Sequence, residues 1–449
     1  MSKVINIKKG YDIKIQGNAE KKISKLQFSQ LIALKPGDFP SVTPKLSVEV
    51  GQEVLAGQAL FTNKSDERII FASPVSGEIV EIERGEKRKI LSIKVLPDSD
   101  TKYKDFHIGD LDKLAKQDVI NILQKSGCWT FIRQRPYSTI ANSDDNPKSI
   151  FISCFDSAPL APDLSYIIDQ EPENFKKGLQ ALSKLADLHL GIQNKLSDKL
   201  SVDDLNITNL TSHQINGPHP AGNVGILIHH VMPIQKGEIV WYVHPQDIII
   251  IGRLFSEEKY KAERIVALTG SCVHAPQYFQ TIAGQELNAI FKNTITKEGC
   301  RLIQGNILSG KQTSSDDYLS FYCNHLTVIP EGKEPEFLGW LLPGFNKLSL
   351  SRTYFSWLFP KRTYNLNTNM HGEERAFVMT GQYNKVLPMN IYPVHLLKAI
   401  LAKDIDRMEQ LGIYEVSEED FALCEFVCTS KIDVQNIISE GLDFIRKEG

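Results

Sequence analysis

The sequence predicts a multidomain α+β protein, in which two β-rich regions flank an α/β region and a helical region ends the chain. The 449 residues suffice for about three domains. Hydrophobic residues make up 42% of the chain and charged residues 23%, which is ordinary for folded protein and excludes wholesale disorder. Three observations set the order of the regions: early period-two alternation, alternating strand and helix signals in the middle, and helical periodicity near the end.

Charge and hydropathy exclude two classes of protein. Lys and Arg number 51 and Asp and Glu number 54, so the net charge is -3 and the basic excess of a dedicated nucleic-acid binder is missing. No apolar run approaches the roughly 18 residues that a membrane span needs, and the N-terminus lacks the apolar stretch of a secretory signal. The seven cysteines are scattered, which favours reduced thiols over a disulfide framework. We therefore expect a soluble, intracellular chain.

Residues 1–105 show the alternation of β structure, and the pattern is most distinctive at about 42–96. The first alternating runs are Ile5–Ile7 and Tyr11–Ile15. Within 42–96, short strands are separated by glycines at tight turns, where glycine tolerates positive φ. These glycines are Gly51, Gly57 and Gly77. The spacing resembles the biotinyl/lipoyl hammerhead, a flattened β-barrel.

A carrier domain of the hammerhead type needs a lysine at the tip of its central hairpin. Lys64 lies near that tip, but the acidic residue or methionine that flanks a carrier lysine is missing. We interpret Lys64 as a solvated hairpin lysine, with biotin or lipoate attachment as the alternative.

Residues 106–256 alternate between helix and strand signals, which favours an α/β layer with a largely parallel sheet. Leu111–Leu123 has an apolar face and is followed by a glycine stop at Gly127. Glu173–Leu190 has the spacing of an amphipathic helix. The predicted strands are Ser149–Cys154, Val224–His230 and Ile248–Ile251.

The last part of the chain changes from β to helical character. Residues 257–335 resemble a β-grasp domain of the SLBB type, residues 336–390 form a β/loop connection, and residues 391–449 are helical. The predicted β-grasp elements are strands at Arg264–Gly270, Cys300–Ile303 and Leu326–Ile329, with a helix at Gln280–Phe291. The predicted terminal helices are Pro393–Leu411, Phe421–Cys428 and Asp433–Lys447, the second preceded by a capping-box-like start at Ser417–Asp420.

Five short motifs follow one another along the chain. They are Ile7–Ile13 with Gly17, Ser126–Thr130 with Arg133–Ser138, Gly217–Gly222, Gly339-Trp340 with Pro343-Gly344, and Leu423–Cys428. Together they resemble the NqrA family of the bacterial sodium-translocating NADH:quinone oxidoreductases, which is distantly similar to RnfC of the Rnf complex and to the flavoprotein subunit of complex I. The resemblance extends to Gly449 and is specific because the motifs occur together in one order.

The resemblance implies a peripheral subunit that lies at the cytoplasmic face of the bacterial inner membrane. Its partners would be the other subunits, mainly the membrane subunit NqrB and its neighbour NqrC, with ubiquinone as a further contact and no nucleic acid. The complex would oxidise NADH, reduce ubiquinone and export Na+. FAD, FMN, riboflavin, the iron-sulfur cluster and the NADH site would lie on those other subunits, so we expect no cofactor in this chain.

A flavin site on the related α/β fold needs a glycine-rich loop, because the backbone must approach the phosphates and the ring. The matching segment here, Gly127–Arg133, keeps one glycine. Trp129 and Phe131 would occupy the volume that a flavin uses. We therefore expect that flavin binding is lost and that both rings pack in the core, with quinone stacking as the alternative.

Arg133 and Arg135 lie two residues apart, so in an extended segment both side chains would face the same way. They could hold an anionic group or pair with neighbouring acids. His219 begins a turn in which relatives that bind cofactors carry an acidic residue, and none stands here. We keep Trp129, Phe131, Arg133, Arg135 and His219 as candidates for quinone or partner contact.

Catalytic and metal chemistry find no further support in the sequence. Cys424 and Cys428 cannot complete a cluster that needs four cysteine ligands. His229 and His230, if in a strand, would point to opposite faces and could not share a metal. We therefore predict no catalytic residue, no cofactor ligand and no metal site. The leading hypothesis is a cofactor-free structural and docking subunit, and the alternative is a stand-alone flavin- or NADH-binding oxidoreductase of the RnfC type.

Overall fold

The computed structural model describes residues 2–292, 294–296, 299–332, 336–339 and 341–448. Trp340 and Gly449, which belong to the motifs singled out above, lie outside these residues. The strands form four sheets, of seven, six, four and three strands.

The N-terminal segment contributes strands to sheets that are completed much later in the chain. These are β1 (Val4–Asn6) and β2 (Glu20–Lys25). The predicted strand at Tyr11–Ile15 is wrong, since its recorded pairing is an isolated bridge between Ile15 and Tyr364. The backbone N–H of Tyr11 instead donates to the carbonyl of His219. The alternation there reflects the burial of Ile13 and Ile15 without a ladder.

The hammerhead is confirmed as two small sheets packed face to face. Its strands are β3 (Ile32–Leu34), β4 (Pro44–Leu46), β5 (Glu53–Val54), β6 (Ala59–Asn63), β7 (Asp66–Ala72), β8 (Gly77–Arg84) and β9 (Ile90–Pro97). The sheet orders are β3-β9-β8-β5 and β4-β6-β7. Phe61 and Phe71 stack between them with ring centroids 4.3 Å apart. Lys64 is exposed in the β6–β7 hairpin.

The α/β layer is built on a largely parallel seven-stranded sheet. Its strands are β10 (Arg133–Arg135), β11 (Thr139–Ile140), β12 (Ile150–Ser153), β13 (Leu188–Ile192), β14 (Leu210–Asn216) and β15 (Val240–Tyr242), joined by β1. Its helices are α1 (Lys116–Ser126), α2 (Leu164–Ile168), α3 (Pro172–Ser183), α4 (Val224–Val231) and α5 (Pro245–Glu257). The order is β1-β14-β13-β12-β15-β10-β11, in which β10 runs antiparallel to both of its neighbours.

Two predicted strands of this layer are helices. Val224–His230 lies in α4 and Ile248–Ile251 in α5, because a helix that is buried on several sides loses the amphipathic spacing that identifies it. A Cβ on Gly252 of α5 would lie 1.7 Å from the carbonyl oxygen of Asn174 in α3, so glycine permits this close packing. The predicted helix Glu173–Leu190 ends earlier, at Ser183, and Leu188 already begins β13.

The β-grasp region forms the six-stranded sheet. It contains β16 (Glu263–Thr269), β17 (Gln277–Ile282), α6 (Asn288–Phe291), β18 (Cys300–Gln304), β19 (Lys311–Thr313) and β20 (His325–Pro330). The order is β19-β18-β20-β16-β17-β2, with β2 parallel to β17. The helix predicted at Gln280–Phe291 is wrong in its first residues, because Gln280–Ile282 pair with β16.

The C-terminal region is helical, as predicted. Its helices are α7 (Tyr383–Val386), α8 (Pro393–Leu401), α9 (Ile405–Gln410), α10 (Glu418–Phe426) and α11 (Val434–Glu448). The predicted helix Pro393–Leu411 is divided where the side chain of Asp404 accepts from the N–H of Arg407 and starts α9. These helices share a core with α4 and with Ile5 and Ile7. The predicted α+β class is confirmed, and no helix in the described ranges is long and apolar enough to cross a membrane.

Candidate functional site

The candidate site begins at the turn between α1 and β10. Gly127 ends α1 with φ 80, and a Cβ there would lie 2.7 Å from the Cβ of Ala72 in the hammerhead. A short 3-10 helix, Cys128–Phe131, follows, and the hydroxyl of Thr130 donates to the carbonyl of Gly127. This turn aims two aromatic side chains inward and places β10 at the meeting point of three regions.

Trp129 and Phe131 pack in the core. Their exposed fractions are 0% and 1%. The indole N–H of Trp129 donates to the carbonyl of Ala141 at 2.8 Å, and its ring meets Trp241 edge-on at 5.4 Å. Phe131 stacks on Phe321 at 5.2 Å. Side chains of the protein therefore surround both rings, which makes packing their evident role, while a quinone contact stays a prediction.

Arg133 and Arg135 lie on the same face of β10, as an extended segment requires. Both guanidinium carbons approach the ring of Tyr242, at 5.3 Å and 5.6 Å. Beyond this shared ring, the surroundings of the two arginines differ.

Arg135 is paired with acids inside the protein. Its side chain is 1% exposed, Nη1 donates to Oδ2 of Asp420 at 3.1 Å, and Nη2 donates to Oε1 of Glu419 at 2.7 Å. Burial opposes the positive charge, but Asp420 and Glu419 outweigh it and raise the pKa of Arg135 above its usual value. Of the two alternatives weighed for Arg135, ion pairing with acids is the one the structure shows.

The carboxylates that meet Arg135 stand at the first turn of α10. Asp420 also accepts from the backbone N–H of Ser417 at 3.0 Å, which is the reach-back half of the predicted capping box. The side chain of Asn223, just before α4, donates to the carbonyl of Glu419. A Cβ on Gly225 would lie 2.5 Å from both carboxylate oxygens of Asp420. The start of α10 is thus fitted between β10 and the start of α4.

Arg133 has no carboxylate within ion-pair distance among the residues that the structure describes. Its guanidinium lies between the rings of Tyr242 and Tyr322, at 5.3 Å and 5.0 Å, and Nη2 donates to the carbonyl of Ser138 at 2.8 Å. Nε of Arg133 is buried and lacks a hydrogen-bond partner in the described structure. Of the five candidate residues, Arg133 is the one whose hydrogen-bonding capacity is least used.

His219 is buried in a turn that meets the N-terminal segment. Its N–H donates to the side chain of Asp12 at 2.9 Å, and its carbonyl accepts from Tyr11. Its Nδ1 lies 3.1 Å from the hydroxyl of Ser157, which accepts from the N–H of Gly222. Burial lowers the pKa of His219 to about 4, so the ring is neutral at neutral pH. Two of the sequence motifs, Ile7–Ile13 and Gly217–Gly222, are in direct contact here.

Comparison with known proteins decides the family. Residues 5–98 match the family described as NqrA N-terminal barrel-sandwich hybrid domain, residues 114–260 the NqrA second alpha/beta domain, and residues 265–315 the NQRA C-terminal domain. Two proteins named as A subunits of Na(+)-translocating NADH-quinone reductase, from Pasteurella multocida (strain Pm70) and Hahella chejuensis (strain KCTC 2396), are each 36% identical to it over 449 residues. Each alignment covers 99% of this chain and 100% of the relative. The chain belongs to the NqrA family.

The sequence-based resemblance is thus confirmed for the whole chain. A similar relative from Haemophilus influenzae (strain PittGG) is also 36% identical, over 452 residues. A chain of an NAD+-reducing [NiFe]-hydrogenase in the H2-reduced state aligns over 76% of this chain and 63% of its own, with a TM-score of 0.41 and 11% identity. That similarity is too low to support an argument about function.

One buried polar group of this NqrA-family chain escaped the sequence analysis. Arg264 of β16 and Asp247 of α5 form an ion pair at 3.4 Å, with side chains 1% and 4% exposed. Burial raises the pKa of Asp247 to about 6, against the opposing effects of Arg264 and Arg133. The signal was present in His244-Pro245, a helix start, but the strand assigned to Ile248–Ile251 concealed it.

The cysteines and histidines of this NqrA-family chain make local contacts. Cys424 and Cys428 are buried, and the sulfur of Cys428 accepts from the hydroxyl of Tyr383 at 2.9 Å. His229 lies on α4 rather than in a strand, with Nδ1 2.6 Å from Oε2 of Glu415. In the part of the chain that the structure describes, no three His, Cys, Asp or Glu side chains are grouped to hold a metal ion.

Proposed function

We propose that this chain is the NqrA component of a sodium-translocating NADH:quinone oxidoreductase and serves as its structural and docking subunit. The complex would oxidise NADH, reduce ubiquinone and export Na+, and the isolated chain would have no catalytic activity. Identity over the full length of relatives with that name supports this assignment. The chain would lie at the cytoplasmic face of the bacterial inner membrane, with NqrB and NqrC as its main partners.

We further propose that the chain carries no redox cofactor, so that FAD, FMN, riboflavin, the iron-sulfur cluster and NADH belong to other subunits. One observation carries this proposal: the segment that would bind a flavin is already occupied by the protein itself. Trp129 and Phe131 are buried there, and the charge of Arg135 is balanced by Glu419 and Asp420. An incoming phosphate would have to compete with two carboxylates that are covalently part of the chain.

A contribution to the quinone region is a second proposal, and Arg133 is the residue that favours it. Its guanidinium is flanked by two tyrosine rings and has no acidic partner in the described structure. An arginine in such surroundings can donate hydrogen bonds to a carbonyl oxygen, which is the polar group of a quinone. Arg135, whose donors meet carboxylates, is less suited to this role.

The division into domains is also proposed. The units are 1–105 with the hammerhead at about 42–96, then 106–256, 257–335, the connection 336–390, and 391–449. The topology adds one feature, because β1 and β2 are shared with the second and third units. We expect each unit to need those N-terminal strands as well as its own residues.

The test is to purify the chain both alone and from native membranes. A protein absorbance spectrum without a flavin band, together with co-purification of NqrB and NqrC, supports the proposal. Stoichiometric flavin on the isolated chain would favour the alternative, a self-sufficient oxidoreductase of the RnfC type. A mass increment on Lys64 would instead identify a biotin or lipoate carrier.

A further inference from the structure

A segment after the β-grasp sheet, here called the apolar loop, covers residues 337–362, of which the structure describes all but position 340. Nine of the twenty large apolar side chains that are exposed among the described residues lie in this loop. Phe337 is 90% exposed, Leu341 62% and Leu358 52%. Isolated exposed apolar residues are normal on a protein surface, whereas a concentration of this kind marks an interaction site.

The apolar loop has a defined internal structure. The ring of Phe345 contacts those of Phe355 and Phe359, with centroids 6.0 Å and 6.3 Å apart. The N–H of Phe355 donates to the carbonyl of Pro343, and Arg362 donates to the carbonyl of Phe345. The loop is held to the body where Lys14 donates to the carbonyl of Pro360 at 3.0 Å. The exposed side chains therefore form a surface of fixed shape.

The charge of the apolar loop has one sign. It contains Lys347, Arg352, Lys361 and Arg362 and no Asp or Glu. Lys347 pairs with Glu336, but Arg352 and Lys361 are exposed and have no ion pair within the described structure. An open pocket of about 470 Å³ is lined by Leu358, Phe359, Pro360, Lys361 and Arg362. The loop thus offers an apolar recess beside cationic groups.

The backbone of the apolar loop argues against insertion into lipid. Apart from the 3-10 turn Phe355–Leu358, it has no helix or strand among its described residues. Irregular backbone in a lipid environment leaves N–H and C=O groups without partners, whereas a protein partner can supply them. A protein occupant is therefore favoured over the membrane itself.

We propose that the apolar loop is a docking surface for another subunit of the complex. The occupant would be an apolar segment that carries carboxylates, so that an aliphatic or aromatic side chain enters the recess and acids meet Arg352 and Lys361. This inference rests on the proposed function, because it takes its partner from the same complex.

The test measures how much of the chain is retained when the complex is purified from membranes through a tag on NqrB. Trp357→Ser/Leu358→Ser removes apolar contact, and Arg352→Glu/Lys361→Glu reverses the charge. The matched control is Leu91→Ser/Leu96→Ser, at two apolar residues of the hammerhead that are exposed to similar degrees. We expect at least a tenfold loss of retention for both loop variants and none for the control. Unchanged melting temperatures of the isolated variants exclude unfolding as the cause.

Four results would overturn the inference. If the parent chain is retained and the loop variants are retained equally, docking does not use this surface, and the proposed function stands. If the parent itself is not retained, the proposed function fails as well. If the isolated parent floats with phosphatidylglycerol/phosphatidylethanolamine vesicles and the loop variants do not, the occupant is lipid. Loop-dependent dimerisation in light scattering would likewise replace the proposed partner with a second copy of the chain.

Discussion

Arg135 and Asp420, 285 residues apart in the sequence, form an ion pair in which both side chains are almost fully buried. It joins the antiparallel edge of the α/β sheet to the first turn of α10. A buried ion pair adds little stability compared with an apolar pair of the same size, but removing one partner leaves an uncompensated charge. The pair therefore specifies where the terminal helices dock, and its loss should be costly.

Asp420→Ala should destabilise the chain by about 3–5 kcal/mol, because Arg135 would be left buried with one fewer partner. Glu419→Ala should cost less, since the side chain of Glu419 is 45% exposed. The measurement is urea unfolding of both variants. In a double-mutant cycle, Arg135→Ala should cost much less in the Asp420→Ala background than in the parent. Additive losses would show that the two residues are not coupled.

Gly225→Ala should loosen the contact between α4 and α10. The added Cβ would lie 2.5 Å from the oxygens of Asp420, which are held in place by Arg135 and the N–H of Ser417. Gly37→Ala is the control, because a Cβ there meets nothing within 4 Å. We expect a lower melting temperature and faster hydrogen exchange in residues 418–426 for the first variant only. Equal melting temperatures for both variants would contradict this.

Trp129→Ala and Phe131→Ala should each cost about 3–5 kcal/mol, the usual range for truncating a buried aromatic side chain. Arg133→Ala should cost much less, since its recorded hydrogen bond is a single one to the carbonyl of Ser138. Thermal unfolding of the three purified variants checks this order. If Trp129→Ala and Phe131→Ala melt like the parent but abolish quinone reductase activity, the rings line a functional cleft instead.

Arg133→Met should reduce the quinone reductase activity of the reconstituted complex while leaving assembly intact, if the guanidinium meets the quinone. Its effect should appear mainly in the KM for quinone, since a hydrogen bond to the substrate carbonyl is lost. Arg133→Lys retains one cationic donor and should recover part of the activity. A melting temperature that falls in step with activity would assign Arg133 a structural role.

His219→Gln should flatten the acid side of the stability profile. Burial lowers the pKa of His219 to about 4, so from about pH 6.5 down to about 4 the unfolded chain binds a proton that the folded chain excludes. This site therefore removes stability as the pH falls through that window, by an amount on the order of 3 kcal/mol. The measurement is the difference in unfolding free energy between variant and parent at pH 7 and pH 4.5. His274→Gln, at an exposed side chain, is the control.

Sequence analysis identified those parts of the fold that depend on local signals. The glycine turns located the hammerhead, and Gly127 located the end of α1, because each depends on a few adjacent residues. It failed at Ile248–Ile251, where burial on several sides removes the spacing that distinguishes helix from strand. It also failed at Gln280–Ile282, where pairing with β16 outweighs helical spacing.

The candidate site could be predicted only in part, for a related reason. Arg133 and Arg135 were identified, and their shared face follows from strand geometry. Their different roles depend on Asp420 and Tyr322, which lie far away in the sequence and carry no motif that connects them to β10. Contacts of such long range are decided by how whole layers pack, so one sequence without relatives does not contain a local signal for them.

The placement of β1 and β2 has a consequence for how the chain is made. Asn6 accepts a hydrogen bond from Asn216, 210 residues further on, and β2 pairs with Gln277–Gln280 of β17. During synthesis these first strands leave the ribosome long before the edges that receive them exist. They must wait unpaired while the hammerhead between them and those edges is translated and folds, so the nascent chain matures from its middle outward and its beginning is among the last parts to settle.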